Sequence, residues 1–127
     1  MIEPLVVGDL RIEVLEDAAP RLVLTWHGKS NARQADKIVG PYLEQALERA
    51  QALATPLELH FEHLAHFNSS TIASVIQLIQ TARARQARLI VYSDPRRQWQ
   101  RLSFDALRVF VRPDGLFELR VPEGLPS

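Results

Sequence analysis

The spacing of apolar residues changes repeatedly between two periods along this chain of 127 residues. Apolar and polar residues alternate from Leu5 to Leu15 and again from Leu57 to Leu64, which is the pattern of β-strands with one buried face. Between these runs, from Ala32 to Leu53, apolar residues recur at helical spacing. The sequence therefore predicts an α/β domain in which strands and helices follow one another along the chain.

The remaining elements follow from the same patterns. A second strand is predicted at Arg21–Gly28, and it forms a hairpin with the first across the turn at Glu16–Pro20. The other predicted elements are a helix at Ser70–Gln86, a strand at Arg88–Ser93, a short helix at Gln98–Leu107 and a last strand at Leu116–Val121. The order ββαβαβαβ implies right-handed crossovers and a mixed sheet, because the hairpin adds an antiparallel pair to parallel strands.

Domain boundaries and the start of the first helix follow from glycine and proline positions. Residues 1–121 are expected to form one domain, and residues 122–127 a short tail rich in proline and glycine. Gly40 and Pro41 interrupt the first helical pattern. Because proline inside a helix costs about 3 kcal/mol, the regular helix is expected to start near Pro41, after a looser segment.

Composition excludes several classes of protein. The sequence contains no cysteine, which removes disulfides, thiolate zinc sites and cysteine nucleophiles. Its apolar runs are too short to span a bilayer, so no membrane partner is expected and a cytoplasmic location is predicted. A formal net charge of zero and an isoelectric point near 6.9 do not provide the basic field that binds nucleic acid.

Three histidines, His60, His63 and His66, are spaced three residues apart. Residues three apart on a strand point to opposite faces, and at about 3.3 Å per residue the outer two are roughly 20 Å apart. They are therefore not expected to share a metal ion unless the strand ends early. No nucleophile elbow, phosphate-binding loop or dinucleotide-binding turn is present. His66 lies near the serines of the next segment in sequence, which is weak evidence for a catalytic pair. We expect no catalytic residue, metal or cofactor.

Asp94–Arg101 places arginines beside Trp99, as a nucleotide or nucleic-acid site would. In a neutral domain, this segment is better interpreted as a turn followed by an amphipathic helix with a packed indole.

The most informative segment is Asn68-Ser69-Ser70-Thr71, which lies where a strand gives way to an apolar helix. Serine, threonine and asparagine are preferred helix N-caps, each worth about 1 kcal/mol over alanine. Residue chemistry alone therefore favours a helix cap at this point.

The same segment resembles the STAS (sulfate transporter and anti-sigma factor antagonist) family. In that family, an acidic-Ser-Ser-Gly motif ends the third strand, and basic residues precede the strand after the next helix. This chain has Asn68–Thr71 and then Arg83–Arg88 before Leu89–Tyr92. The likeness covers about residues 56–94 and extends weakly over 97–111. Two positions depart from the motif, since Asn68 replaces the acid and Thr71 the glycine.

The resemblance implies a STAS-like mixed β-sheet with helices packed mainly on one face, and a regulatory protein rather than an enzyme. It implies that a histidine-kinase-like anti-sigma factor, or another serine kinase, phosphorylates a motif serine and that a cognate serine phosphatase reverses this. Ser70 matches the usual phosphoacceptor, and Ser69 is the second candidate. A phosphoserine adds a charge of roughly −1.5 to −2 at the N-terminus of a helix, where backbone N–H groups favour anions. The alternative is a constitutive interaction module or scaffold without phosphorylation.

A protein partner is expected to dock on this turn. The predicted docking residues flank the serines or share one side of the helix with Ser70; they are His66, Phe67, Asn68, Thr71, Ser74 and Gln77.

Overall fold

The structure is a computed structural model that describes residues 2–17 and 21–122. Seven strands, three α-helices and one short 3-10 helix follow one another in these residues. In chain order, these are β1 (Leu5–Val7), β2 (Leu10–Asp17), β3 (Arg21–Ser30), α1 (Asp36–Ala52), β4 (Leu57–His60), β5 (Leu64–Phe67), α2 (Ser69–Ala84), β6 (Leu89–Tyr92), α3 (Gln98–Asp105), the 3-10 helix (Ala106–Phe110) and β7 (Phe117–Arg120).

The strands form one mixed sheet in the order β1-β2-β3-β4-β6-β7, with β5 pairing to β3. The pairs β1–β2 and β2–β3 are antiparallel, whereas β3–β4, β3–β5, β4–β6 and β6–β7 are parallel. The parallel pairs arise because α1, α2 and the α3 segment connect successive strands, as strand-helix-strand units require. The predicted mixed sheet is confirmed.

One hydrophobic core lies between the sheet and the two long helices. Leu22, Leu24 and Trp26 point from β3 into this core, since alternate residues of a strand share a face. Val39 of α1 and Val75 of α2 are fully buried in the same cluster. The opposite face of β3 and β4 carries polar residues. Helices on one face of the sheet are thus confirmed.

Two predicted strands are each divided in two. The first breaks at Gly8, whose φ of +57° makes a turn between β1 and β2. The run Leu57–Leu64 breaks after His60, where a turn carries the chain from β4 to β5, and β5 then pairs with the far end of β3. The alternating pattern predicted extended backbone correctly but could not show this change of partner. Of the predicted turn at Glu16–Pro20, residues 18–20 lie outside the described residues, as do 123–127 of the tail.

Helix α1 begins at Asp36, so the prediction that it starts near Pro41 is wrong. Proline removes one backbone hydrogen bond and costs about 3 kcal/mol. Starting the helix earlier places Ala35 and Val39 in the core, and burying a valine side chain alone stabilises the fold by about 2 kcal/mol. The burial of apolar side chains at the start of α1 therefore offsets part of the free energy that Pro41 costs.

Helix α3 closes the end of the core near β5. The Trp99 ring lies edge-on to Phe67 at 5.0 Å, and Phe104 lies 5.3 Å from Phe61. Buried Gln100 donates to the carbonyls of Phe61 and Leu64. The packed indole that the sequence predicted is present.

Candidate functional site

The start of α2 is capped by Asn68, which comes directly after β5. Its backbone is extended, and its Oδ1 accepts hydrogen bonds from the Thr71 N–H at 3.0 Å and the Thr71 hydroxyl at 2.8 Å. Its Nδ2 donates to the Ala32 carbonyl at 3.1 Å, and its backbone N–H donates to the Ser30 carbonyl. One side chain thus fixes the beginning of α2 to the segment that follows β3.

Thr71 is fully buried beneath this cap. Because its single hydroxyl proton is donated to Asn68, its oxygen accepts the proton of the Ser30 hydroxyl, 2.6 Å away. The resulting chain of hydrogen bonds runs from Ser30 through Thr71 to Asn68. The side chain of Thr71, which was predicted to contact a partner, therefore lies in the interior of this structure.

Ser70 joins the first turns of the two long helices. Its hydroxyl donates to Oδ1 of Asp36 at 2.7 Å and accepts the backbone N–H of Asp36 at 3.0 Å. Asp36 is the first residue of α1, so this reciprocal pair fixes the N-terminus of α1 against that of α2. Ser70 remains partly exposed.

Ser69 has different surroundings, although it is the adjacent residue. It is the first residue of α2 and is exposed to solvent. Its hydroxyl has no hydrogen-bond partner among residues 2–17 and 21–122. Of the two candidate phosphoacceptors, Ser69 is therefore free to enter another protein's active site, whereas Ser70 must first leave Asp36.

The other predicted docking residues are divided between the surface and the core. His66 and Gln77 are exposed, while Phe67 and Ser74 are 6% and 4% exposed. The Ser74 hydroxyl donates to the carbonyl of Ser70. Helical spacing correctly placed Ser70 and Ser74 on one side, but α1 covers that side.

A Cβ built on Gly40 would lie 3.8 Å from the Ser74 Oγ, which is an ordinary van der Waals distance, so Gly40 of α1 lies beside Ser74. Of the predicted docking residues, Phe67, Thr71 and Ser74 are buried, His66 and Gln77 are exposed, and Asn68 is partly exposed.

The sequence patterns did not identify Asp36 and Ser30, whose side chains form hydrogen bonds to Ser70 and Thr71. They lie 34 and 41 residues from their partners, so local spacing could not reveal the contacts. The one available signal was an acidic residue in the first turn of a helix, which would have been assigned to the helix dipole. Asp36 also lines a groove of about 180 Å³ between α1 and α2, together with Glu44 and Gln77.

The strand that carries His60 ends at that residue, and the three spaced histidines contact different rings. His63 stacks on His27 at 5.6 Å, and His66 lies 6.0 Å from the Trp99 ring. His60 stacks on Tyr92 at 4.1 Å, on the sheet face away from the helices. Within the described part of the chain, no group of three histidine, aspartate or glutamate side chains is arranged to hold a metal ion.

His60 lies between two carboxylates. Its Nδ1 is 3.1 Å from Glu62 and its Nε2 is 3.3 Å from Glu58. Burial lowers the pKa of His60, but the hydrogen bonds and charges of Glu62 and Glu58 outweigh burial and raise that pKa above its ordinary 6.5. Glu58 is further held by Arg21 through two hydrogen bonds of 2.9 and 3.0 Å.

We therefore expect the free energy of unfolding to fall as the pH rises above 6.5. A raised pKa in the folded state contributes stability that is complete below 6.5, and this contribution is lost as the pH passes through the folded value. Urea unfolding at a series of pH values measures the slope of the free energy of unfolding against pH, and this slope should be smaller in His60→Gln. The exposed His66 provides the control His66→Gln, which should keep the slope. An unchanged slope in His60→Gln would contradict the assignment.

None of the helices in residues 2–17 and 21–122 combines the length and the apolar character that crossing a bilayer requires.

Several solved structures are similar to this chain, among them the following two. The anti-sigma factor antagonist SpoIIAA, in its unphosphorylated form, superposes with a TM-score of 0.52 and 17% identity, covering 76% of this chain and 97% of SpoIIAA. An uncharacterized protein of the DUF3478 family from Shewanella loihica PV-4, which has a SpoIIAA-like fold, superposes with a TM-score of 0.50 and 16% identity. The match covers 87% of this chain and 84% of that protein. No protein-family model and no curated protein matches the sequence. The likeness concerns architecture, and it shows that this chain has the STAS-like fold of SpoIIAA.

Proposed function

We propose that this chain is a cytoplasmic, phosphorylation-switched regulator that binds a partner protein and catalyses no reaction itself, in the manner of anti-sigma factor antagonists. Its partners would be a histidine-kinase-like anti-sigma factor or another serine kinase, and a cognate serine phosphatase. The fold shared with SpoIIAA supports a role in binding proteins. The observation that carries the switch is the reciprocal hydrogen-bonded pair of Ser70 and Asp36.

A phosphate on Ser70 would change this pair in two ways. The esterified oxygen loses its proton, so it can no longer donate to Asp36, and a charge of roughly −1.5 to −2 is placed beside the Asp36 carboxylate. Like charges this close repel, while the N-termini of two helices attract the same phosphate. Ser70 would therefore turn away from Asp36, and the surface formed by the first turns of α1 and α2 would change shape as well as charge.

A phosphate on Ser69 would act differently. Because the Ser69 hydroxyl is exposed and makes no hydrogen bond to the described residues, its modification would leave α1 and α2 in place. Only the charge of the docking surface would change, and repulsion at a closely apposed partner can cost several kcal/mol. Ser70 is the first acceptor that we propose and Ser69 the second.

The experiment is to purify the protein from its native cells and to map phosphate on the peptide containing Asn68 to Arg83 by mass spectrometry. We expect phosphate on Ser70 or Ser69, and loss of that phosphate in the matching alanine variant. Ser103→Ala, on α3, is the matched control and should leave the modification unchanged.

A constitutive interaction module is the second candidate function, and one observation favours it. Every polar group of Asn68, Ser70 and Thr71 that caps α2 is already occupied within the protein, so the motif is explained as a helix start without phosphate. Absence of phosphate on both serines under several growth conditions would establish this alternative and refute the switch.

A further inference from the structure

The sheet face opposite the helices carries two ordered rows of polar residues. Strands β4, β6 and β7 are parallel and in register, so His60, Tyr92 and Arg120 lie side by side as the last residues of their strands. Two residues earlier on the same face, Glu58 and Glu118 occupy the outer positions of a second row. The first row thus presents two basic groups and an aromatic ring near the carboxyl ends of β4, β6 and β7. The second row places two carboxylates next to the basic groups, two residues earlier on the same strands.

These carboxylates orient the basic side chains. Glu58 binds both His60 and Arg21, and its side chain is only 9% exposed. Glu118 pairs with Arg120, whose Nη1 also lies 3.5 Å from the Tyr92 hydroxyl. Buried Glu58 holds the Arg21 guanidinium and partly exposed Glu118 holds that of Arg120, while 46% of the Arg21 side chain and 45% of the Arg120 side chain remain exposed.

The oriented groups surround a cleft of about 450 Å³, lined by Arg21, His60, Tyr92 and Arg120 together with Val121 and Pro122. This size is within the range of small-molecule sites. No carboxylate is among the described residues that line it. Arg21 uses Nε and Nη2 for Glu58, so its Nη1 donors have no partner in the described part of the chain.

We propose that this cleft binds a small organic anion, with a carboxylate or phosphate group held by Arg120 and Arg21 and an apolar part against Tyr92. The guanidinium fork matches the paired oxygens of such groups. The cleft is on the face away from Ser69 and Ser70, so this site is independent of the proposed phosphorylation. A ligand here would bridge β3 and β7, which lie on either side of β4 and β6.

The test is a titration of the ¹⁵N-labelled full chain with phenyl phosphate, followed by NMR. We expect saturable shifts at the amides of His60, Tyr92 and Arg120, and at least about a tenfold weaker affinity in Arg120→Gln, which equals about 1.4 kcal/mol. Arg101→Gln is the matched control, because Arg101 is an exposed arginine on α3. Its affinity should equal that of the parent chain.

Inorganic phosphate is the second probe and should bind more weakly, since it lacks the apolar part. Absence of saturable shifts with phenyl phosphate would overturn the proposal, as would equal affinity in Arg120→Gln and Arg101→Gln. Equal affinity for the two probes would show that the site does not select an organic anion. The folded state of Arg120→Gln is verified in the same spectra, because amides remote from the cleft should not move.

Discussion

The variant Gly28→Ala is expected to unfold with a free energy about 3 kcal/mol lower than that of the parent chain. Gly28 has a φ of +83°, and a Cβ added to it would lie 2.0 Å from the carbonyl oxygen of Asp9. That oxygen accepts the N–H of Lys29, so it cannot withdraw without losing a hydrogen bond. Equilibrium urea denaturation measures the loss.

Gly8→Ala separates the steric clash from the strain of a positive φ. Gly8 has a φ of +57°, but nothing lies within 4 Å of a Cβ built there. Only the backbone penalty of about 1 kcal/mol is therefore expected in this variant. If the two variants were equally stable, the contact between Gly28 and Asp9 would not be as close as the structure places it.

The position of Gly28 explains why this clash has consequences for the site. The pairing between β3 and β5 shifts its register between Gly28 and Lys29, so that Lys29 and Ser30 align with His66 and Phe67. Ser30 then reaches Thr71, and its carbonyl accepts the Asn68 N–H. The irregularity at Gly28 therefore helps to place the residues that support the start of α2.

The sequence predicted most of the elements, because the apolar residues of most of them recur with the period of a strand or of a helix. Val75 and Ile79 of α2 are buried as the helical stripe requires, and Leu57 and Leu59 of β4 are buried as alternation requires. What it could not predict are partners that depend on tertiary structure. A turn separates β4 from β5, and because of this turn β5 pairs with the end of β3. The period of the apolar residues carries no information about a turn of this kind.

The candidate site was predicted in location but not in construction. The residue types of Asn68 and Ser70 indicated a helix start, and this is where α2 begins. Their spacing could not indicate Asp36, because this contact requires that α1 and α2 lie side by side. The same packing buries Ser74, which helical spacing alone had placed on the docking face.

The cap residue itself gives the second large effect. Asn68→Ala is expected to lower the free energy of unfolding by about 2 kcal/mol, since it removes an N-cap and leaves the buried Thr71 hydroxyl without an acceptor. The start of α2 should also open more often than the rest of the helix, because the Thr71 N–H loses its side-chain acceptor. Hydrogen exchange at the Thr71 amide should accelerate more than at the Val75 amide, which lies four residues further along α2.

Asn68→Asp is the matched control for the cap, and it also restores the acidic residue found at this position in STAS motifs. A carboxylate keeps the acceptor for both Thr71 groups and is favoured at a helix N-terminus by about 0.5 kcal/mol, but it cannot donate to the Ala32 carbonyl. We expect it to retain most of the parent stability. A loss equal to that of Asn68→Ala would show that the bond to Ala32, rather than the cap, is what stabilises this turn. Because Asn68 holds the segment that precedes α1 as well as the start of α2, that outcome would make the joint between the two helices the principal role of the motif.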